Sequence, residues 1–184
     1  MNPDSKISLP VLCLSILLVC FVSFFVHNDA IPADLMESRN LVTAREMVNT
    51  GNYLIPTMNG ELRLEKPPLP TWIAAVIEQA FPHNLAAQRS AAGVAATIMV
   101  FFLFLLVRTI TGETFLAFMA ALALATCYNP VMMGRNATWD IYCHAFMLGA
   151  LYFIWGAFKS EGKQWARFLI AGFFMGLSFL SKGP

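Results

Sequence analysis

Apolar positions in this 184-residue chain gather in long unbroken runs, not in alternation. A helix crossing roughly 30 Å of hydrocarbon needs about 20 such residues. The runs 7–27, 86–110, 115–133 and 141–158 approach or exceed that length, and each predicts a membrane-spanning helix. A fifth run, 168–180, is shorter and is expected to be one more span near the end of the chain. Between the first two runs lies a long segment, 28–85, with a different pattern. Pro32, Asp34 and Glu37 suit a helix start, where proline and acids belong in or just before the first turn. The helical pattern continues to Thr50, and Gly51 is placed to end it. At 3.6 residues per turn Glu37, Leu41, Ala44 and Val48 fall on one stripe, with Arg39, Thr43, Glu46 and Asn49 directed away from it. Residues 52–57 predict an extended piece and Asn59-Gly60 a tight turn. Pro67, Pro68 and Pro70 remove backbone donors, and the apolar stretch 72–81 is too short to span. It predicts a helix lying at the interface, a platform anchored by Trp72 and Phe81.

Composition agrees with this reading: 58% of residues are apolar and 12% charged, against about 25% charged in soluble domains. The fold class expected is therefore an all-α, polytopic membrane protein. A net charge of +1 gives no electrostatic case for nucleic acid. Cys13, Cys20, Cys127 and Cys143 sit in or beside apolar runs and are expected to pack as small hydrophobes; no Cys/His spacing suggests zinc. The first run lacks a small-residue cleavage site and is expected to be retained as a span. Lys6, Arg108, Lys159, Lys163 and Arg167 fall on one side of the predicted spans, which reads as cytoplasmic. The segment 28–85 and the turn 134–140 then share the opposite, extracytoplasmic side. One site built from both is the consequence.

Three side chains in those two regions carry candidate chemistry. Glu37 is a carboxylate at the head of an otherwise apolar face, a setting that raises a carboxyl pKa and suits a proton acceptor; helix capping is the alternative. Lys66 stands at the edge of the proline platform, where an ammonium meets a lipid phosphate as a point charge, unless it is an ordinary interfacial lysine. Asp140 opens the fourth span, either as a dipole-compensating acid or as part of a functional path, and His144 follows at i,i+4.

The ordered pieces Glu37, Arg39, Ala44-Arg45-Glu46-Met47, Gly51-Asn52-Tyr53-Leu54-Ile55-Pro56, Asn59-Gly60 and Glu65-Lys66-Pro67-Pro68-Leu69-Pro70-Thr71-Trp72 closely resemble the first extracytoplasmic loop of one enzyme family. It is the protein O-mannosyltransferase-like branch of the type C glycosyltransferases, which includes the aminoarabinose transferases of lipid A. Asp140 matches the acid of that family's second loop, and Leu177-Ser178-Phe179-Leu180-Ser181-Lys182-Gly183-Pro184 is similar to the end of its fifth span. The resemblance implies a helical bundle with interfacial extracytoplasmic helices. It implies transfer of a sugar from a polyprenyl-phosphate carrier, with inversion, to a lipid A, other glycan or protein acceptor at the outer face of a bacterial inner membrane. Membrane lipids are the other expected partners. No cofactor is fixed by the resemblance, and a divalent metal is left open.

One position departs from the pattern. Counted back from Ala44, the first member of the family's acidic pair, usually the catalytic Asp, is Met36 here, and Glu37 is the second. The role of acceptor base or orienter falls to Glu37, or to Asp34 through a local shift, with Asp140 as second acid. Lys66, with Arg39 assisting, is implied to bind the donor phosphate. Family members are longer and have more spans, so residues 1–184 are expected to form the N-terminal part of one transmembrane domain, inactive alone. A non-catalytic, lipid-binding scaffold or transporter fragment is the alternative; the gathering of charge at one interface, not at midspan, favours the enzyme.

Overall fold

The computed structural model describes residues 8–159, 162 and 164–183. Lys6, Lys163 and Pro184 lie outside the described residues, so the expectations attached to them are not addressed. The described elements are α1 (Leu9–Phe24), α2 (Leu35–Thr50), β1 (Thr57–Met58), β2 (Glu61–Leu62), α3 (Leu69–Ala80), α4 (Leu85–Thr111), α5 (Thr114–Thr126), α6 (Tyr128–Gly134), α7 (Asp140–Phe158) and α8 (Gln164–Ser181). The protein is an all-α membrane fold with one two-stranded antiparallel ladder, Thr57 opposite Leu62 and Met58 opposite Glu61. Asn59 and Gly60 both take positive φ, 56° and 78°, the geometry an Asn-Gly hairpin turn requires.

Among the described residues α4 and α7 are long and apolar enough to cross a membrane, and α5 with α6 adds a third crossing if the pair is one span. The run 115–133 is not a straight helix but bends by 63° between these two pieces. Pro130 accounts for the break. Its ring clashes with the carbonyl four residues earlier in a continuous helix, and that residue, Thr126, is where α5 stops. Cys127 between the pieces is extended and exposed, not packed as expected. The first run yields a 16-residue α1, and the fifth an 18-residue α8 that begins four residues earlier than the apolar stretch suggests.

Lipid tails are as apolar as leucine, so helices within a membrane associate through close packing of small residues. Ala92, Ala95 and Ala96 of α4 and Ala117, Ala121 and Ala125 of α5 are buried with Ile16, Cys20 and Phe24 of α1 in one core. Gly134 is where α6 touches this core: a Cβ there would lie 2.8 Å from both Ala96 Cβ and Phe24 Cδ1. On the other side α7 and α8 pack through Gly149, where a Cβ would lie 2.8 Å from Phe174.

α2 and α3 form a separate layer with their own small core of Ala44, Met47, Ala74 and Ala75. The buried face of α2 is Glu37, Asn40, Thr43, Ala44 and Met47, rotated from the expected stripe. Leu41 and Val48 are only partly buried, and Thr43 points inward. Polar partners cause the rotation: Asn40 Oδ1 accepts from Thr71 Oγ1 (2.7 Å), and Thr43 Oγ1 accepts from Arg63 Nη1 (3.0 Å). α3 begins at Leu69 with Pro70 in its first turn, where a missing N–H costs nothing. Trp72 Nε1 donates to the Tyr53 carbonyl (2.7 Å), tying the platform to the chain that leads into the hairpin.

Glu46 organises that hairpin, accepting from Thr57 Oγ1 (2.6 Å) and from the N–H groups of Asn59 and Gly60. Glu78 clamps α2, α3 and α4 together. It accepts from Arg45 Nε (3.0 Å), from Gln88 Nε2 (3.2 Å) and from the His83 N–H (3.1 Å). Burial opposes its charge, but these donors outweigh burial and hold its carboxyl below the ordinary range.

Candidate active site

Asp34 sits just before α2 in extended backbone and caps it, its Oδ1 accepting from the Glu37 N–H at 2.8 Å. Asn136 Nδ2 donates to the other oxygen, Oδ2, also at 2.8 Å. The carboxylate is otherwise exposed. The Glu37 N–H, against some desolvation and with help from Asn136, holds it below its ordinary pKa. Met36, at the position of the family's usual Asp, is exposed and carries no polar group.

Glu37 is placed quite differently. It is fully buried (0% exposed), and Arg89 grips it with both arms of the guanidinium, Nε to Oε1 at 2.8 Å and Nη2 to Oε2 at 2.6 Å. The Ala137 N–H donates to Oε1 as well (2.9 Å). Arg89 in turn gives Nη1 to the carbonyls of Asn28 and Ile31, so its polar atoms are engaged within the fold. A carboxylate closed in by three donors, two of them from one guanidinium, cannot reach an acceptor hydroxyl without opening the fold.

The two polar regions meet through this pair. Asn40 Nδ2 donates to the Ala137 carbonyl (2.8 Å), the Ala137 N–H reaches Glu37, and Asn136 reaches Asp34. Arg135 donates to the carbonyls of Ser23, Val26 and His27 at the end of α1. The stretch after α6 is thus laid across the head of α2, about 100 residues away in sequence. Between them is a polar cleft of about 150 Å³ bordered by His27, Asn28, Asp34, Arg89, Arg135 and Asn136.

Trp139 carries the junction to the platform. Its ring is buried, with the Arg63 guanidinium carbon 5.3 Å and Lys66 Nζ 5.9 Å from its centroid. Arg39 joins this group through its carbonyl, which accepts from Arg63 Nη1 (3.1 Å). Asp140, the next residue, is ion-paired with Lys182 at the end of α8. Gly183 beyond it comes close to Pro67: a Cβ on the glycine would be 3.5 Å from the proline ring. His144 Nδ1 lies 2.7 Å from the Asp140 backbone carbonyl, not its carboxylate, so that nitrogen carries the proton. Among the described residues no three His, Cys, Asp or Glu side chains converge to hold a metal ion.

The structure therefore brings Asp34, Glu37 and the 135–140 stretch together and sets Lys66 over Trp139; Arg39 joins only through its carbonyl to Arg63, and the Asp140 carboxylate pairs with Lys182. Sequence reasoning did not single out Arg89, Arg63 or Asn40. Arg89 offered a signal, as an ionisable residue just inside an apolar run. Arg63 offered a weaker one, next to the turn that returns the chain to α2.

Known proteins resemble this chain over nearly its whole length. The family described as dolichyl-phosphate-mannose-protein mannosyltransferase matches residues 65–184. An uncharacterised protein of Aquifex aeolicus is 27% identical over 96% of this chain and 33% of its own length. Undecaprenyl phosphate-alpha-4-amino-4-deoxy-L-arabinose arabinosyl transferases of Shewanella sediminis and Pseudomonas fluorescens are 28% and 26% identical, over 87% and 96% of this chain and 31% and 32% of theirs. The crystal structure of ArnT from Cupriavidus metallidurans bound to undecaprenyl phosphate has the same fold, with a TM-score of 0.80 at 20% identity, covering 95% of this chain and 32% of that one. The chain thus spans about a third of the length of the relatives it matches.

Proposed function

The chain belongs to the dolichyl-phosphate-mannose-protein mannosyltransferase family, and on that footing we propose that it serves a glycosyltransferase drawing a sugar from a polyprenyl-phosphate carrier. The arabinosyl transferases among its relatives, named for undecaprenyl phosphate, support that donor class. The observation that carries the reading is the docking of the 135–140 stretch onto α2 and the platform. It brings an exposed carboxylate, Asp34, and the Lys66 cation to one stretch of chain, with Arg39 close to Arg63 beside it.

The chemistry follows from the charges. An acceptor oxygen attacks the anomeric carbon as the bond from that carbon to the phosphate oxygen breaks. The proton leaves the acceptor, and negative charge builds on the departing lipid phosphate. Asp34 orients the acceptor and takes the proton as the new bond forms; its low basicity places proton transfer late. Lys66, with Arg39 nearby, offsets charge on the leaving phosphate. Attack opposite the phosphate inverts the anomeric centre. Glu37 acts through structure: with Arg89 it fixes Ala137 and hence the position of Asn136 against Asp34. Asp140, held by Lys182, is the second acid and borders the phosphate side. The apolar cleft of about 370 Å³ between Ile73, Ala91, Ile98, Tyr142 and Phe146 suits an isoprenoid tail below the platform. The acceptor is a hydroxyl or phosphate of lipid A, another glycan or a protein, reached at the outer face of an inner membrane.

The test is transfer from a labelled polyprenyl-phosphate sugar by the intact protein carrying Asp34→Asn, Glu37→Gln, Lys66→Ala or Asp140→Asn. Asp34→Asn and Lys66→Ala are expected to lower the rate at least about 100-fold at normal protein levels. Four variants with unchanged transfer would sink the proposal.

A further inference from the structure

Arg63 is 7% exposed, yet its Nη2 has no hydrogen-bond partner, although Nη1 is held by the Arg39 carbonyl and Thr43 Oγ1. Trp139, 2% exposed and in contact with that guanidinium, also has an unpartnered donor, Nε1–H. Buried donors left open are costly, and native proteins tolerate few of them. These two belong to stacked residues, and neither can accept a hydrogen bond. What they lack is an acceptor-only group.

Two further cations stand close by, with Glu65 as the neighbouring acid. Lys66 lies over the same indole, and Arg39 is close enough to oppose the charge of Arg63. Burial pushes the Arg63 guanidinium below its ordinary value, with Glu65 opposing this, and an arginine still remains charged. The indole attracts each cation singly, but cations sharing one ring repel one another. An anion arriving there relieves the repulsion and satisfies the open N–H groups together.

We propose that Arg63, seated on Trp139, is a ligand of the polyprenyl phosphate, donating through Nη2 to a phosphate oxygen, with Trp139 Nε1–H as an accompanying donor. This rests on the transferase reading above and adds a residue to its phosphate site. The partly exposed Lys66 side chain leaves the indole to meet the phosphate and opens the way to both donors. Arginine is specified over lysine because Nη1 fastens the head group to α2 while Nη2 stays free. The planar guanidinium does both at once.

The experiment measures binding of undecaprenyl phosphate to the intact protein in lipid nanodiscs, with inorganic phosphate as competitor. Arg63→Lys keeps the charge and loses the fork, and is expected to weaken binding about tenfold or more. Trp139→Phe keeps the ring and loses the N–H, and is expected to weaken it about threefold. Thr43→Val removes one of the two α2 acceptors that hold Nη1 and leaves the Arg39 carbonyl in place; it is expected to lower thermal stability and leave lipid affinity within about twofold. Inorganic phosphate is expected to displace the lipid from wild type more effectively than from Arg63→Lys.

Normal affinity in Arg63→Lys alongside a loss in Lys66→Ala would overturn this inference and leave the transferase reading standing. Normal affinity in both variants would remove the phosphate site itself. A parallel arm replaces undecaprenyl phosphate with lipid A. If Arg63→Lys weakens only that arm, the residue serves a phosphate of the acceptor and its assignment to the donor is overturned.

Discussion

Replacing Glu37 by glutamine separates a structural carboxylate from a catalytic one. Arg89 is 3% exposed and directs two charge-assisted hydrogen bonds at Glu37. Glutamine accepts one of them at most, and its amide N–H groups face the other donor. Each such bond contributes about 1.5–3 kcal/mol, and breaking a buried ion pair from one side costs about 3–5 kcal/mol. The Ala137 N–H also faces a weaker or misdirected acceptor. Glu37→Gln is therefore expected to lose about 3–5 kcal/mol of unfolding free energy. Replacing both partners in a Glu37→Met/Arg89→Met protein leaves no unpaired charge and is expected to recover most of that loss, as buried pairs often do. Thermal and denaturant unfolding of the purified protein, followed by circular dichroism, measures both. The reasoning is refuted if Glu37→Gln unfolds like wild type while transfer collapses. Glu37 would then be a working base and not the anchor of the 135–140 stretch.

Asp34→Asn removes the charge but keeps the cap, since asparagine caps helices about as well as aspartate. Stability is expected to change by less than about 0.5 kcal/mol while transfer falls sharply. Gly134→Ala forces a methyl against Ala96 and Phe24 and is expected to cost about 1–3 kcal/mol, seen as a lower melting temperature. The folded pKa of Glu78 is depressed, so its contribution to stability is full above the unfolded value near 4.3 and is lost as pH falls through the folded value. Melting temperature should therefore drop on acidification below that unfolded value, and Glu78→Gln should lower it at neutral pH and flatten the acid dependence.

Most of the helices were legible from the sequence because their signals are local. Gly51 does close α2, with φ at 70°, and Asn59-Gly60 does form the hairpin turn. The run 115–133 predicts one helix, and its 63° bend has a local signal in Pro130, with the break a turn earlier, where the carbonyl the ring would strike is located. The face of α2 was misread because periodicity ranks residues by apolarity. Asn40 and Thr43 are buried by specific polar partners from segments far along the chain, Thr71, Ala137 and Arg63. The same limit hid Arg89. Nothing near Glu37 in sequence announces a guanidinium 52 residues away. A stripe that begins with an acid looked like a proton acceptor, and it is the covered half of an ion pair.

The central claim is that α2, the proline platform and the 135–140 stretch make one phosphate-facing site. A structure of the intact protein with undecaprenyl phosphate bound tests it most directly. The phosphate is expected within hydrogen-bonding distance of Lys66, on the Trp139 side of the junction and facing Asp34. A headgroup found instead at the opposite ends of α4 and α7, beside Arg108 and Lys159, would contradict the account.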